Sequence, residues 1–240
     1  MPRFYVAQTF AEGGVLRLPE NVCRHIQVLR LQAGAPLVLF DGRGGAAQAV
    51  LLEIGRRQAL ARVDKLLTES RESPLAVTLL QAVSASEKMD FAVQKSTELG
   101  VGRIVPVVAA RSNVRLQGER AEKKVRRWQD IAISACEQCG RNQVPQVAPI
   151  ADLAQALAAL PAEAGARLLL SPHDGVPLRS LPKVQNAVLL IGPEGGLTAK
   201  EEALARSHGF QPVRLGARVL RTETAALAAL AAMQALWGDF

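Results

Sequence analysis

A chain of 240 residues, 49% of them hydrophobic, is long enough to bury one large core or two modest ones. Its 29 Lys and Arg against 22 Asp and Glu give a formal net charge of +7 and a pI near 9.8, a balance that favours a polyanionic partner. With no apolar run long enough for a membrane span, no leader pattern at Met1 and only three cysteines, a membrane protein, an exported protein and a disulfide scaffold are disfavoured, and a cytoplasmic protein is expected.

The first 70 residues read as short strands. Phe4 to Thr9, Val15 to Leu18, Pro36 to Phe40, Ala46 to Ile54 and Ala59 to Leu67 are β-like, with Asp41-Gly42 as a turn between two of them. One helix interrupts, carrying Val22, Ile26 and Leu29 on a single face. The pattern predicts a small β-barrel domain over 1–70. Arginines are spread through it, and arginine binds phosphate by paired hydrogen bonds and stacks on bases.

Ser70-Arg71-Glu72-Ser73-Pro74 reads as a linker, and a second domain is expected over 74–240, where strand and helix signals alternate. Leu75 to Val83 is an apolar strand. Ser84 and Glu87 have capping-box spacing, and the helix they start is expected to stop at Gly100. Arg103 to Ala109 is the next strand. Seven basic residues against two acidic ones follow between Arg111 and Arg127, Arg115 among them, an excess suited to a phosphate backbone. The helix beyond sets Trp128, Ile131, Ala132, Ala135 and Cys139 on one face, so Cys136 and Cys139 read as packing residues; with no second pair, no zinc site is predicted.

Asp152 to Leu160 is helical by its leucine stripe, and Arg167 to Leu170 is a buried strand opening into Ser171-Pro172-His173-Asp174-Gly175. His173 at such a loop reads as a surface side chain rather than a base. The run Val188-Leu189-Leu190-Ile191 then breaks into Gly192-Pro193-Glu194-Gly195-Gly196, a buried strand delivering a glycine loop, with the glycines expected to adopt positive φ and to let a flat ligand approach. Thr198 and Glu201 form a second capping box. Pro212 to Leu215 delivers another loop holding Arg218, Arg221 and Glu223, and Thr222 or Glu223 starts the last helix, whose face carries Leu227, Leu230, Met233 and Trp237 among seven alanines. In open α/β sheets ligands bind where such strands end. The spacing matches neither a dinucleotide fingerprint nor a phosphate loop.

The blocks Glu87 to Asp90, Gln94 to Val101, Ala135 to Asn142, Ile191 to Gly196 and Leu215 to Thr224, with Arg3-Phe4-Tyr5 at the start, resemble in order the signature blocks of the RsmE family. These are S-adenosylmethionine-dependent RNA methyltransferases of the SPOUT superfamily that act on N3 of one uridine in 16S ribosomal RNA. The resemblance implies an α/β protein: an N-terminal PUA-like, RNA-binding β-barrel and a C-terminal SPOUT domain with a parallel sheet and a trefoil knot. It implies a homodimer, S-adenosylmethionine as the cofactor and no metal. Carried over residue by residue, it assigns the cofactor site to Leu170, Ile191, Gly192, Gly195, Leu215, Gly216, Val219 and Leu220. Arg3, Arg30, Arg111 and Arg141 are the expected RNA contacts.

A sulfonium methyl is already an activated electrophile, so the enzyme's task is alignment and activation of the acceptor. Uridine N3 becomes nucleophilic only on losing its imide proton, which calls for a proton acceptor and for donors to the uracil oxygens. Arg221 is the expected donor, and Glu223 and Glu194 are the expected acceptors or orienters. Two competing readings are a non-catalytic RNA-binding assembly factor and a SPOUT enzyme acting on a ribose 2′-hydroxyl. Arg221 and Glu223 disfavour the first; the two-domain layout with the Ala135 to Asn142 block disfavours the second.

Overall fold

The computed structural model describes residues 1–113, 116–161, 163 and 165–240, so Arg115 lies outside the described residues. The chain divides into two compact units, one of residues 1–72 and 133–144, the other of residues 73–132 and 145–240.

In the first unit the strands are β1 (Arg3–Tyr5), β2 (Val15–Leu18), β3 (Pro36–Phe40), β4 (Ala46–Ile54) and β5 (Ala59–Leu67), with helix α1 (Glu20–Val28) after β2. They form a five-stranded sheet in the order β1-β3-β4-β5-β2, so β1 and β2 are its edges and the barrel is an open one, a half-barrel. Alternating side chains put Phe4, Leu18, Leu37, Leu39, Leu51 and Ala61 inside with Val22, Cys23 and Ile26 of α1. Register shifts between Gln48 and Ala49 and between Leu51 and Glu53 bend β4 against β5. Two expectations are corrected here. β1 ends at Tyr5 rather than Thr9, and Leu29 is 46% exposed because α1 has already unwound before Arg30, which holds φ 54. Left-handed backbone at a residue with a Cβ costs roughly 1–2 kcal/mol.

The second unit is built on a parallel sheet. Its elements are β6 (Ala76–Ala82), α2 (Ser86–Glu98), β7 (Arg103–Val108), α3 (Gly118–Cys139), β8 (Gln146–Val147), β9 (Ala151–Asp152), α4 (Leu153–Ala158), β10 (Ala166–Leu170), β11 (Val176–Pro177), β12 (Asn186–Ile191), α5 (Ala199–Ser207), β13 (Gln211–Arg214) and α6 (Thr222–Trp237). Residues 133–139 of α3 count with the first unit. Strand order is β11-β13-β10-β12-β6-β7-β8, with β9 also on β7, and each of these pairings is parallel. Leu80, Val107, Leu169, Val188 and Leu190 form the sheet's part of a core closed by Leu153, Leu157, Ala205 and Phe210. α2 starts at Ser86 with Ala85 in the cap position, so the Ser84–Glu87 capping box is not made; Ser84 is buried instead. Its end is as expected, a left-handed Gly100 whose N–H reaches Thr97 O while Val101 N–H reaches Ser96 O.

Candidate functional site

Because β10 lies between β12 and β13, the loops leaving Leu170, Ile191 and Arg214 are neighbours, on strands roughly 4.8 Å apart. All three strands run parallel, so their carboxyl ends share one edge. A cleft of about 500 Å³ opens there, within the roughly 300–1,000 Å³ of small-molecule sites. Leu170, Ile191, Gly192, Gly195, Leu215, Gly216, Val219 and Leu220 all line it, as do Arg111, Glu194 and Arg221. Exposed His173 stands at its rim, and Glu223 is not among its lining residues.

The glycine loop is held from several sides. Gly196 alone of its three glycines has positive φ, at 69°, and closes the turn by donating its N–H to Pro193 O at 2.9 Å; the expectation of left-handed backbone at Gly192 and Gly195 is corrected. Those two serve close approach instead. A Cβ on Gly195 meets the Arg111 Cβ at 3.2 Å, and one on Gly192 meets Leu197 Cγ at 3.3 Å. Arg111 Nη1 donates to Gly195 O at 3.0 Å, Lys88 Nζ to Glu194 Oε1 at 2.8 Å, and the Thr222 hydroxyl to Gly192 O at 2.8 Å.

Beyond the loop, Thr198 and Glu201 make the expected capping box at α5, and Glu201 Oε1 also accepts the Ala110 N–H at 2.7 Å. Burial pushes the Glu201 carboxyl up, but the N–H groups of Thr198 and Ala110, the Thr198 hydroxyl and nearby Arg111 outweigh it, so the net direction is down. The hydrogen bond from Lys88 holds the Glu194 carboxyl below the usual carboxylate range. Glu223, in the first turn of α6, keeps Oε2 buried and without a partner. Arg221 is exposed at the α6 cap position, and among the described residues no hydrogen bond or ion pair engages its guanidinium.

Three of the expected RNA contacts belong to the first unit. Arg30 is exposed. Arg3 is engaged: Nη2 donates to Asn142 Oδ1 at 2.7 Å and to Arg141 O at 3.2 Å, and its guanidinium lies 5.1 Å from the Phe40 ring centre. Burial, then nearby Arg71, lowers its pKa. Arg141 is 5% exposed and is paired with Glu72, Nη2 to Oε2 at 2.7 Å, so its side chain faces an internal carboxylate rather than solvent. The same Glu72 accepts the N–H groups of Asn142 and Gln143. Arg141, expected as an RNA contact, thus has its guanidinium on the Glu72 carboxylate: a lone arginine in a sequence does not reveal which carboxylate, 69 residues away, it will meet.

Cys136 is fully buried, and its hydrogen bond with Cys139, together with burial, pushes its thiol well up, which suits packing. Among the described residues no cluster of three or more His, Cys, Asp and Glu is placed to hold a metal, and no helix is long and apolar enough to cross a membrane. Sequence reasoning missed Lys88, Gln81 and the bridging use of Thr222. The one available signal was a polar residue, Gln81, in the otherwise apolar run Leu79-Leu80-Gln81-Ala82.

Comparison with known proteins gives the following. The model of the RNA methyltransferase domain matches residues 71–234, and that of the RNA methyltransferase PUA domain matches residues 18–64. The ribosomal RNA small subunit methyltransferase E of Buchnera aphidicola is 34% identical, over 100% of this chain and 98% of the relative; that of Bacillus subtilis is 34% identical, over 95% and 90%. The crystal structure of the Neisseria gonorrhoeae ribosomal RNA small subunit methyltransferase E bound to S-adenosyl methionine superposes with a TM-score of 0.96. It is 48% identical, covering 100% of this chain and 99% of that one.

Proposed function

Because the chain belongs to the family of ribosomal RNA small subunit methyltransferase E, the RsmE family, we propose that it transfers a methyl group from S-adenosylmethionine to N3 of one uridine of 16S ribosomal RNA. The observation that carries the reading is the three-loop cleft, into which the expected cofactor residues converge from positions 170 to 220. The cleft suits the cofactor. Leu170, Ile191, Leu215, Val219 and Leu220 supply apolar walls for an adenine ring, and the glycine backbone at 192, 195 and 216 leaves room beside it. When bound, S-adenosylmethionine supplies a methyl group on a sulfonium, which needs neither a metal nor a covalent nucleophile.

The chain's own groups then divide the work. Arg221, unengaged and at the cleft, donates to the uracil oxygens on which charge develops when N3 loses its proton. Glu194 is committed to Lys88 and is held a weaker base than usual, which suits an orienting role. Glu223 lies in the first turn of α6 outside the cleft lining, so its part is to orient the Arg221 loop rather than to take the N3 proton directly. Arg111 tethers the cofactor loop through Gly195 O while standing at the mouth of the cleft, and so joins cofactor and RNA contacts.

The PUA-like domain of 1–70, together with residues 133–144 of the same unit, supplies RNA affinity, with Arg30 as its exposed contact and Arg3 and Arg141 holding the hydrogen-bonded cluster around Glu72 and Asn142. The catalytic domain of 74–240 carries the trefoil knot. The protein acts as a cytoplasmic homodimer, with α6 among the interface helices. Labelled methyl transfer to small ribosomal subunits, followed by nucleoside analysis, tests the function. 3-Methyluridine is the expected product; no transfer, or a 2′-O-methyl nucleoside, overturns it.

A further inference from the structure

A threonine at the start of a helix ordinarily spends its hydroxyl on its own backbone. In α6 the cap position is Arg221, no side chain caps the helix, and Thr222, only 4% exposed, sends its hydroxyl across to Gly192 O. The direction of each hydrogen bond is fixed. Gln81 Nε2 sits 2.9 Å from Thr222 Oγ1 and 3.2 Å from Ala82 O, so the group facing that carbonyl is the amide NH2, a donor only. Thr222 Oγ1 therefore accepts from Gln81, and its single proton goes to Gly192 O.

Gln81 stands on β6 directly opposite Ile191, the last residue of β12 before the glycine loop. It is 1% exposed, and its Oε1 is buried with no partner. An aliphatic side chain of similar length removes the buried, unmade Oε1 but gives up the donor to Ala82 O and to the Thr222 hydroxyl, so it is these two bonds rather than packing that the amide serves. The other ties on the loop are wetter. Lys88 and Glu194 are 32% and 26% exposed, and Arg111 is exposed, so solvent weakens both ties.

We propose that Gln81 and Thr222 form a positioning relay that fixes the Gly192 carbonyl against the start of α6, locking two of the three cofactor loops together and setting the affinity for S-adenosylmethionine. The relay rests on the reading of the cleft as the cofactor site. It acts through the loop rather than by touching the reacting atoms. Its members are not equivalent: Thr222 makes the contact, and Gln81 only aims the hydroxyl.

Calorimetric titration of the full chain with S-adenosylmethionine, beside thermal unfolding of the free protein, tests this. Thr222→Val is expected to weaken binding about tenfold, and Thr222→Ser to stay within about twofold of wild type. Gln81→Leu is expected to weaken binding about fivefold while leaving the unfolding midpoint of the free protein near that of wild type, because the loss of the donor to Ala82 O is offset by the removal of the unmade Oε1. The double variant is expected to match Thr222→Val alone, because Gln81 works only through Thr222. Should Thr222→Val fail to fold, Gln81→Leu carries the test by itself. Unchanged affinity in Gln81→Leu, an affinity loss that tracks a loss of stability, or additive losses in the double variant overturn the relay. Wild-type protein that takes up no S-adenosylmethionine overturns the cleft assignment, and the relay with it.

Discussion

Gly216→Ala tests whether a glycine lining the cleft faces a ligand or serves only the fold. A Cβ at Gly216 meets no atom within 4 Å, and its backbone is not left-handed, so the folded protein accepts alanine without strain. The substitution stiffens the unfolded chain, which favours the fold by about 0.4–1 kcal/mol. At roughly 2–4 °C per kcal/mol for a chain of this length, the unfolding midpoint rises by about 1–4 °C. Gly216 lines the cleft, however, so the new methyl group takes space a bound ligand needs. Crowding of that size costs roughly 1–3 kcal/mol. The dissociation constant for S-adenosylmethionine is therefore expected to rise roughly 5- to 150-fold. Isothermal titration with scanning calorimetry on the same samples reads both numbers. Gly165→Ala is the control: there φ is 79° and the Cβ meets the Asn186 carbonyl, so stability falls with or without ligand. Unchanged affinity in Gly216→Ala refutes the placement of the third loop against the ligand, and a lowered midpoint refutes the reasoning from open space.

Arg221→Ala is expected to lower turnover on small subunits roughly 100- to 1,000-fold, with cofactor affinity changed less than threefold; the reverse pattern in a kinetic and binding comparison removes Arg221 from the transition state. Arg30→Gly relieves the left-handed backbone and should stabilise the protein by about 1 kcal/mol in denaturant unfolding. It should also reduce the salt slope of RNA binding by about one, and an unchanged slope counts against a phosphate contact. Burial holds the Glu137 carboxyl above its usual range against the Tyr5 N–H, His25 and Arg3, so the stability this group allows is full below about pH 4.3 and is lost as pH rises through the raised folded value. Glu137→Gln should therefore gain on wild type between pH 4 and pH 7 in chemical denaturation, whereas a pH-independent difference contradicts the burial argument.

Much of the fold was legible because local chemistry and tertiary structure agree. Val15–Leu18, Pro36–Phe40, Ala46–Ile54 and Ala59–Leu67 are apolar-rich runs of strand length, and the structure keeps those bounds. Errors arose where a local signal was overruled. Ser84 and Glu87 have the spacing of a capping box, yet the helix begins two residues after Ser84, with Ala85 in the cap position and Ser84 buried before it. Leu29 continues the apolar stripe of α1, but the backbone turns left-handed one residue later and leaves it outside. The assignment of 133–144 to the first unit had no local signal at all. It rests on contacts of long sequence separation: the Glu72 carboxylate gathers Arg141, Asn142 and Gln143, and Arg3 reaches Asn142.

The candidate site was legible for a different reason, and incompletely. The cleft loops stand out because a buried strand gains nothing in packing by breaking into glycine, as at 191, and the loops leaving strands at 170, 191 and 214 meet once the order β12-β10-β13 sets them side by side. Side chains that hold those loops carry no such mark. Lys88 looks like any exposed helical lysine until Glu194 is found 2.8 Å away, and Thr222 looks like a helix cap until its hydroxyl is seen to point elsewhere. Gln81 is the instructive case. A buried amide in an apolar strand conflicts with the local pattern, and such conflicts concentrate where function outweighs stability. The residue that reads worst as a core position is thus the one whose replacement by leucine should leave the fold intact and the cofactor loosely held.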